Sequence, residues 1–165
     1  MKKSAPARII NVTSVAHWAC TTLALHDLNY QERAFPGWLR AYGQSKLCNI
    51  LFTLELSEKL RGTGVTANSV HPGLVHTGLV WNDGWGVFDY VASFMLWFMV
   101  KDAQLGAQPS IYLAVSKDVE KVSGKYFVDC KETRTSSLGK NHVLARKLWS
   151  ISEKTVKWQE SDTHC

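Results

Sequence analysis

The segment Tyr42-Gly43-Gln44-Ser45-Lys46 carries the residue types best suited to proton transfer. Residues four apart on a helix face the same way, so the Tyr42 phenol and the Lys46 ammonium are predicted to project together. A fixed positive charge beside a phenol stabilises the phenolate, and such a tyrosine can exchange a proton with an alcohol or a carbonyl group. The same spacing also occurs between ordinary surface residues. The prediction of a proton-transfer site therefore needs support from functional residues in other segments of the chain.

Two further polar segments follow predicted strands. Ser14 comes directly after the apolar run 8–13, and the segment 71–77 (HPGLVHT) follows the run 65–70. Folds with parallel sheets place ligand-contacting groups at the carboxyl ends of their strands. Taken singly, Ser14 also fits a turn serine that caps a local amide, and Pro72-Gly73 fits a plain turn. Together with Tyr42 and Lys46, the segments are predicted to converge on one edge of a sheet.

Alternating strands and helices must position these segments. The predicted elements are strands over residues 8–13, 65–70 and 125–129 and helices over about 41–60, 103–116 and 141–158. Apolar residues at helical spacing define the first helix, which Gly62-Thr63-Gly64 is expected to end. Pro109 is expected to kink or interrupt the second helix. Residues 15–40 are predicted to form a long loop with a helical turn. This alternation predicts an α/β fold with a parallel sheet.

Composition narrows the functional classes. The chain has 165 residues, of which 45% are hydrophobic and 20% charged, as expected of one folded domain. The net charge of +5 comes from scattered basic residues without a basic stripe interleaved with aromatics, which argues against nucleic-acid binding. The four cysteines form no CxxC pair, so neither a zinc-finger pattern nor a disulfide framework is predicted, and a reducing compartment is expected. His71 and His76 do not share a helix face, and no metal site is predicted.

Four parts of the chain resemble the catalytic half of the short-chain dehydrogenases/reductases, and most closely their retinol dehydrogenase-like branch. They read RIINVTSVAH, AYGQSKLCNILFTLEL, GTGVTANSVHPGLVHT, and GAQPSIYLAV with VSGKYFVDC. The resemblance runs from about Lys2 to Trp158. It implies the C-terminal half of a Rossmann-like, doubly wound parallel sheet, forming one partial domain over residues 1–165. It also implies an oxidoreductase that interconverts a lipophilic alcohol and an aldehyde or ketone, such as retinol and retinal, with NADP(H); NAD(H) is the alternative cofactor.

The same resemblance implies roles for individual residues. Tyr42 would be the general acid/base, and Lys46 would stabilise its phenolate and hydrogen-bond the nicotinamide ribose. Ser14 would hold the substrate oxygen, while Thr13 replaces the more usual serine of that pair. The residues implied to line the nicotinamide are Pro72, Gly73, Val75 and Thr77, alongside Tyr42 and Lys46.

One part of the family pattern is absent from the chain. The family places a glycine-rich turn after its first strand, where the backbone approaches the cofactor pyrophosphate. The string Gly62–Ala67 matches GxGxxA, but it follows a predicted helix and precedes a predicted strand, so we reject it. The strand 8–13 matches the family's fifth strand, which places four strands upstream of this chain. Without them the strand 9–13 exposes an edge, and the chain alone is expected to be poorly soluble and to bind no dinucleotide.

The sequence also fits other interpretations of its apolar segments and of its function. The run Tyr90–Val100 is too short to span a bilayer; it fits either a helix at the membrane interface or a buried helix of the substrate pocket, within a substrate region over about 74–101. A truncated, non-catalytic isoform could pair with full-length subunits through helix 42–60, the expected homodimer surface. A peripheral membrane-binding module could use residues 85–101. The resemblance implies an intracellular, membrane-associated protein of the endoplasmic reticulum or mitochondrion; no signal peptide or transmembrane span is predicted within the chain.

Overall fold

The sheet consists of three parallel strands and one short antiparallel strand. In the computed structural model, which describes residues 1–75 and 101–157, the strands lie in the order β1-β2-β3-β4. Their bounds are Ala7–Val12 (β1), Val65–His71 (β2), Tyr126–Val128 (β3) and Lys131–Thr133 (β4). β1 pairs in parallel with β2 and β2 with β3, whereas β4 runs antiparallel to β3. The predicted α/β fold with a Rossmann-like parallel sheet is confirmed.

Within residues 1–75 and 101–157, three α-helices flank the sheet. They span Trp38–Lys59 (α1), Ala103–Val115 (α2) and His142–Thr155 (α3). Four short 3-10 helices lie at Lys2–Ser4, Val15–Ala19, Lys117–Val119 and Leu138–Lys140. Within the two described ranges, none of the helices combines the length and apolarity needed to span a membrane.

The two faces of the sheet are covered by different helices. Alternate residues of β2 point to opposite faces, so Val65 and Ala67 pack with Leu60 at the end of α1, whereas Val70 packs with Leu113 of α2. A further layer forms between α1 and α3. Its centre consists of the buried residues Leu47, Leu51, Ala145 and Leu148. Burial of each large aliphatic side chain contributes about 1.5–3 kcal/mol.

The helices differ from the prediction in two details. α1 begins at Trp38, three residues before the predicted start, because Gly37 at φ +87° turns the chain into the helix. α2 runs through Pro109, so of the two expected effects, a kink or an interruption, the interruption is wrong. Pro109 removes only its own bond to the carbonyl of Leu105, a residue that is 57% exposed and at which water can take over. The glycines at 62 and 64 lie at positive φ and form the turn that leads from α1 to β2.

The strand β4 was not predicted. It forms a hairpin with β3 through the two residues Asp129 and Cys130, both of which have positive φ. Hairpins of this type favour Asn-Gly or Asp-Gly, and Asp-Cys lacks the glycine that makes such a turn recognisable. The exposed residues of β4 also give no apolar alternation by which a strand could be recognised.

The strand β1 lies at an edge of the sheet formed by the described residues. It pairs with β2 on one side, and Val12 near its end is 50% exposed. The order agrees with the predicted open edge at residues 9–13. An unpaired strand edge presents backbone groups that another strand can bond.

Candidate active site

Ser14 lies at the point where β1 leaves the sheet. The backbone N–H of Thr13 donates to the carbonyl of Val70 (2.8 Å), which extends the pairing of β1 with β2 to the last residue before Ser14. Ser14 then caps the 3-10 helix Val15–Ala19, and its Oγ accepts a hydrogen bond from the N–H of Ala16 (3.2 Å). Since this bond uses a lone pair of Oγ, the hydroxyl hydrogen can still be donated elsewhere.

The end of β1 is tied to α1 by hydrogen bonds at Thr13 and at the two residues before it. The buried Thr13 hydroxyl donates to the carbonyl of Lys46 (2.7 Å), and Asn49 Nδ2 donates to the carbonyl of Val12 (3.1 Å). One helix turn further, Asn11 Nδ2 donates to Thr53 Oγ1 (2.9 Å). These bonds hold the helix turn that carries Lys46 beside the strand end that carries Ser14.

Gly43 allows α1 to approach the turn after Ser14. A Cβ at this position would lie 2.4 Å from the carbonyl oxygen of Ala16 and 3.4 Å from the Cβ of Ala19. Only a residue without a side chain fits at such a distance. The glycine between Tyr42 and Lys46 therefore serves packing, and it lets the helix segment that carries both residues lie against the turn after Ser14.

Tyr42 and Lys46 lie on the same face of α1, as their spacing predicts. Lys46 Nζ is 5.3 Å from the centroid of the Tyr42 ring, and Tyr42 is 37% exposed. Ser45 Oγ donates to the Tyr42 carbonyl (2.8 Å), so this serine is used within the helix. The arrangement places a phenol and an ammonium together at the carboxyl edge of the sheet.

The segment after β2 lies at the same edge. Val12 and Val70 are register partners in parallel strands, so the residues that follow them, Ser14 and Pro72-Gly73, leave the sheet side by side. Gly73 has φ +95°, and a Cβ there would lie 3.1 Å from Cδ of Lys101.

Val75 is held against the start of α2. A Cβ on Gly106 would lie 2.4 Å from Cγ2 of Val75, and the backbone N–H of Lys101 donates to the Leu74 carbonyl (2.7 Å). Lys101 also forms an ion pair with Asp129 beside this segment. Of the predicted nicotinamide-lining residues, Thr77 lies outside the described residues, as do 76–100 of the predicted substrate region.

The donor set at this edge suits the ribose and nicotinamide of a dinucleotide. The Lys46 ammonium and the Tyr42 phenol can donate to hydroxyl groups, next to the backbone of residues 72–75. The turn Gly62–Gly64 lies at the opposite end of β2, about 20 Å away along a seven-residue strand. The structure therefore agrees with the rejection of that turn as a phosphate site.

Two buried groups at this edge were missed in the sequence. His17 is fully buried; its Nδ1 lies 2.7 Å from the Ser14 carbonyl, and its Nε2 accepts from the Ser136 N–H (3.3 Å). Burial lowers the pKa of His17, against a smaller opposing effect of the bond to Ser14. Tyr126 packs edge-on to this imidazole, with 5.2 Å between ring centroids, and burial raises the pKa of Tyr126 to about 12. The sequence signal available for His17 was its position, three residues after Ser14 within an apolar turn.

His71 is the third ring near this edge. It is buried, and burial is the main reason why its pKa lies below the ordinary value. Among the described residues, neither His71 Nδ1 nor the Tyr126 hydroxyl has a hydrogen-bond partner.

Gln44 connects α1 to the loop that precedes it. Its Oε1 accepts from the Tyr30 hydroxyl (2.8 Å), and its Nε2 donates to the Leu28 carbonyl (3.0 Å). The same loop is closed by Asp27, whose carboxylate accepts from the backbone N–H of Gln31 (2.6 Å) and of Arg33 (3.0 Å). The predicted long loop is thus held against α1 through Gln44.

Asp27 is buried yet charged. Burial raises the pKa of this carboxyl, but the hydrogen bonds from Gln31 and Arg33, including the guanidinium Nε at 3.1 Å, outweigh it and leave the pKa below its ordinary value. Arg33 Nη2 also donates to the Asp27 carbonyl (2.8 Å). An aspartate eleven residues before the helix gave no sequence signal, because two of its partners are backbone N–H groups, which every residue offers.

Comparison with curated proteins finds retinol dehydrogenases. The chain is 42% identical to mouse retinol dehydrogenase 12 over 156 residues, which cover 92% of the chain and 46% of that protein. It is 44% identical to mouse retinol dehydrogenase 13, covering 94% of the chain and 47% of that protein. Mouse retinol dehydrogenase 14 is 42% identical over 163 residues, with 94% and 46% covered. The chain thus spans about half the length of the relatives it matches.

Among solved structures, the chain resembles an uncharacterized protein from Mycobacterium paratuberculosis. The TM-score is 0.67 at 28% identity, and the match covers 92% of this chain and 50% of that one. No protein-family model matches the chain. The structural match, like the sequence matches, thus extends over about half of the longer protein.

Proposed function

We infer that this chain, which belongs to the retinol dehydrogenase-like branch of the short-chain dehydrogenases/reductases, carries the proton-transfer residues of an NADP(H)-dependent oxidoreductase. The proposed reaction interconverts a lipophilic alcohol and its aldehyde or ketone. The observation that carries the proposal is the placement of Tyr42 and Lys46 on one face of α1, in the segment that Gly43 brings against the turn after Ser14. Enzymes of this superfamily use a nicotinamide cofactor.

In the direction of reduction, the Tyr42 phenol donates its proton to the carbonyl oxygen of the substrate as that oxygen becomes an alcohol. The Lys46 ammonium stabilises the phenolate that is left, and the Ser14 hydroxyl donates a hydrogen bond to the same oxygen. Oxidation of an alcohol uses the same groups in reverse, with the Tyr42 phenolate as the base. The nicotinamide, when bound, supplies or accepts the hydride.

The residues that would hold the cofactor divide into two groups. Lys46 and Tyr42 would contact the ribose, while Pro72, Gly73 and Val75 would lie along the nicotinamide, together with Thr77. A glycine-rich turn for the pyrophosphate is not among the described residues, where Gly62–Gly64 lies at the wrong end of β2. We therefore propose that the chain alone binds no dinucleotide with useful affinity.

The test uses a joined chain, in which the residues of mouse retinol dehydrogenase 12 that precede its matched region are placed ahead of this chain. With NADPH and all-trans-retinal, the joined chain is expected to oxidise NADPH and form retinol. Tyr42→Phe should abolish turnover and leave NADPH binding largely intact, since only the proton is lost. Lys46→Ala should impair both, whereas Ser45→Ala serves as the matched control with normal turnover.

Two outcomes would contradict parts of this proposal. Normal turnover by the Tyr42→Phe joined chain would show that another group supplies the proton. Saturable, micromolar binding of NADPH to the 165-residue chain alone would show that it holds its own phosphate site. Fluorescence titration with circular dichroism on the same sample measures the second quantity and shows whether the chain is folded.

The open edge of β1 favours a second candidate, a non-catalytic chain that pairs with longer subunits. Its partner would use that edge or the predicted surface on helix 42–60, where Phe52 stacks on Trp149 (5.0 Å between ring centroids). Co-purification with full-length mouse retinol dehydrogenase 12 tests this candidate, and loss of pairing in Phe52→Lys would assign the helix surface.

The proposed membrane contact through 85–101 falls almost wholly outside the described residues; liposome flotation tests it.

A further inference from the structure

His17 is a buried imidazole that the proposed proton transfer does not use. It lies in the 3-10 helix Val15–Ala19 directly after Ser14, and none of its surface is exposed. Its ring contacts Tyr126 of β3 edge-on, with 5.2 Å between ring centroids. Because buried polar groups are normally hydrogen-bonded, both nitrogens of this imidazole need a partner inside the protein.

The two partners determine which nitrogen carries the hydrogen. The backbone N–H of Ser136 can only donate, so Nε2, at 3.3 Å, accepts and is unprotonated. The carbonyl of Ser14 can only accept, so Nδ1, at 2.7 Å, carries the hydrogen and donates it. His17 is therefore a neutral imidazole in one tautomer, and it joins the turn after β1 to the segment that follows β4.

The bond to Ser14 acts on a peptide group that adjoins the Ser14 hydroxyl. The Ser14 carbonyl accepts two hydrogen bonds from His17, one from Nδ1 and one from the backbone N–H (3.1 Å). On its other side, Ser14 Oγ accepts from the Ala16 N–H (3.2 Å). Together these bonds limit the rotation of the Ser14 backbone and side chain.

We propose that His17 is a positioning residue for Ser14, which orients the serine hydroxyl toward the substrate oxygen by holding the Ser14 carbonyl through Nδ1–H. The inference rests on the proposed function, in which Ser14 holds that oxygen. His17 contacts neither substrate nor cofactor in this arrangement. Its effect is on the geometry of the reacting groups, where a displacement of about 1 Å can lower the rate by about 100-fold.

Two substitutions separate the two bonds of His17. In His17→Asn, the amide nitrogen replaces Nδ1 and can still donate to Ser14, while the bond to Ser136 is lost. In His17→Gln, the amide oxygen replaces Nε2 and can still accept from Ser136, while the bond to Ser14 is lost. The variants are matched in chemistry, and each retains one of the two tertiary connections.

Steady-state kinetics of the joined chain with NADPH and all-trans-retinal provide the first measurement. We expect His17→Gln to lower kcat by about 10- to 100-fold with KM for NADPH nearly unchanged, and His17→Asn to retain kcat within about threefold. Equal losses in both variants, in step with equal decreases in melting temperature, would overturn the proposal in favour of a merely structural role. Normal kcat in both would overturn it as well.

Amide hydrogen exchange at Ala16 provides the second measurement, and it does not require activity. Because the Ala16 N–H donates to Ser14 Oγ, its exchange reports whether the hydroxyl is held. We expect exchange in His17→Gln to be about tenfold faster than in His17→Asn, and equal rates would overturn the inference. An inactive joined chain with unsubstituted His17 would contradict the proposed function, and the exchange rates would then decide the inference separately.

Discussion

Gly43 of α1 lies against the carbonyl of Ala16, so close that a Cβ on Gly43 would be 2.4 Å from the carbonyl oxygen. This contact brings the helix that carries Tyr42 and Lys46 against the turn that begins at Ser14. Both sides of it are backbone, and neither can move without shifting a whole segment. The contact makes Gly43 part of the site although it has no functional group.

Gly43→Ala is expected to lower the free energy of unfolding by about 1–3 kcal/mol, because the helix and the turn must move apart. Alanine is the better helix former, so the sign of the change separates packing from helix propensity. Urea unfolding followed by circular dichroism measures it. Ser45→Ala, at an exposed position two residues further along the same helix, is the control and should change stability by less than about 0.5 kcal/mol. A stabilised Gly43→Ala variant would refute the close contact.

Thr13→Val is expected to lower the free energy of unfolding by about 0.5–1.5 kcal/mol, because it removes the buried hydrogen bond that joins the end of β1 to the Lys46 carbonyl of α1. Valine retains the shape of threonine, so the loss is confined to the hydroxyl. Thr13→Ser is the matched control; it retains the hydroxyl and should lose less than Thr13→Val. Chemical denaturation of the three chains provides the comparison. A larger loss in Thr13→Ser than in Thr13→Val would assign the effect to the methyl group instead.

Acidification below about pH 6.5 is expected to lower stability through His17 and His71, whose pKa values burial holds below the ordinary value. Below that pH the unfolded chain binds protons at these residues more readily than the folded chain does, so the free energy of unfolding falls as the pH falls. Above that pH this contribution to stability is fully present. The slope is at most about 1.4 kcal/mol per pH unit for each histidine.

Urea unfolding at a series of values from pH 7.5 to 5 measures this slope. The substitution His17→Asn removes one of the two groups and should make the dependence on pH shallower. Protonation of His17 also places a hydrogen on Nε2, which then faces the Ser136 N–H instead of accepting from it. A slope unchanged by His17→Asn would show that the acid sensitivity comes from other groups.

Cys130→Gly is expected to raise stability by up to about 1 kcal/mol. Cys130 has φ +61° at the hairpin between β3 and β4, a conformation that costs a non-glycine residue about 1–2 kcal/mol. The greater entropy of glycine in the unfolded chain offsets part of this gain. Thermal unfolding measures the change. Cys130→Ala, which relieves no strain at this φ, is the control; an equal gain in both variants would show that the thiol, not the backbone, is responsible.

The positions of the residues of the proposed proton transfer could be predicted from the sequence because they follow from regular secondary structure. Tyr42 and Lys46 are four residues apart on one helix, and helical geometry alone places them on one face. Ser14 and Pro72-Gly73 directly follow apolar strands, and parallel pairing alone brings the two strand ends to one edge. Periodicity likewise predicted three parallel strands and three helices.

Only the tertiary structure decided those contacts of the site in which one partner is a backbone group distant in sequence. The neutral tautomer of His17 depends on the N–H of Ser136, 119 residues away, and the need for glycine at 43 depends on the carbonyl of Ala16. Thr13, which by resemblance was a departure from the usual serine, donates to the carbonyl of Lys46. Every residue offers the same backbone groups, so no pattern of side chains shows which of them will be near. Their positions follow from the packing of α1 against β1 and its turn.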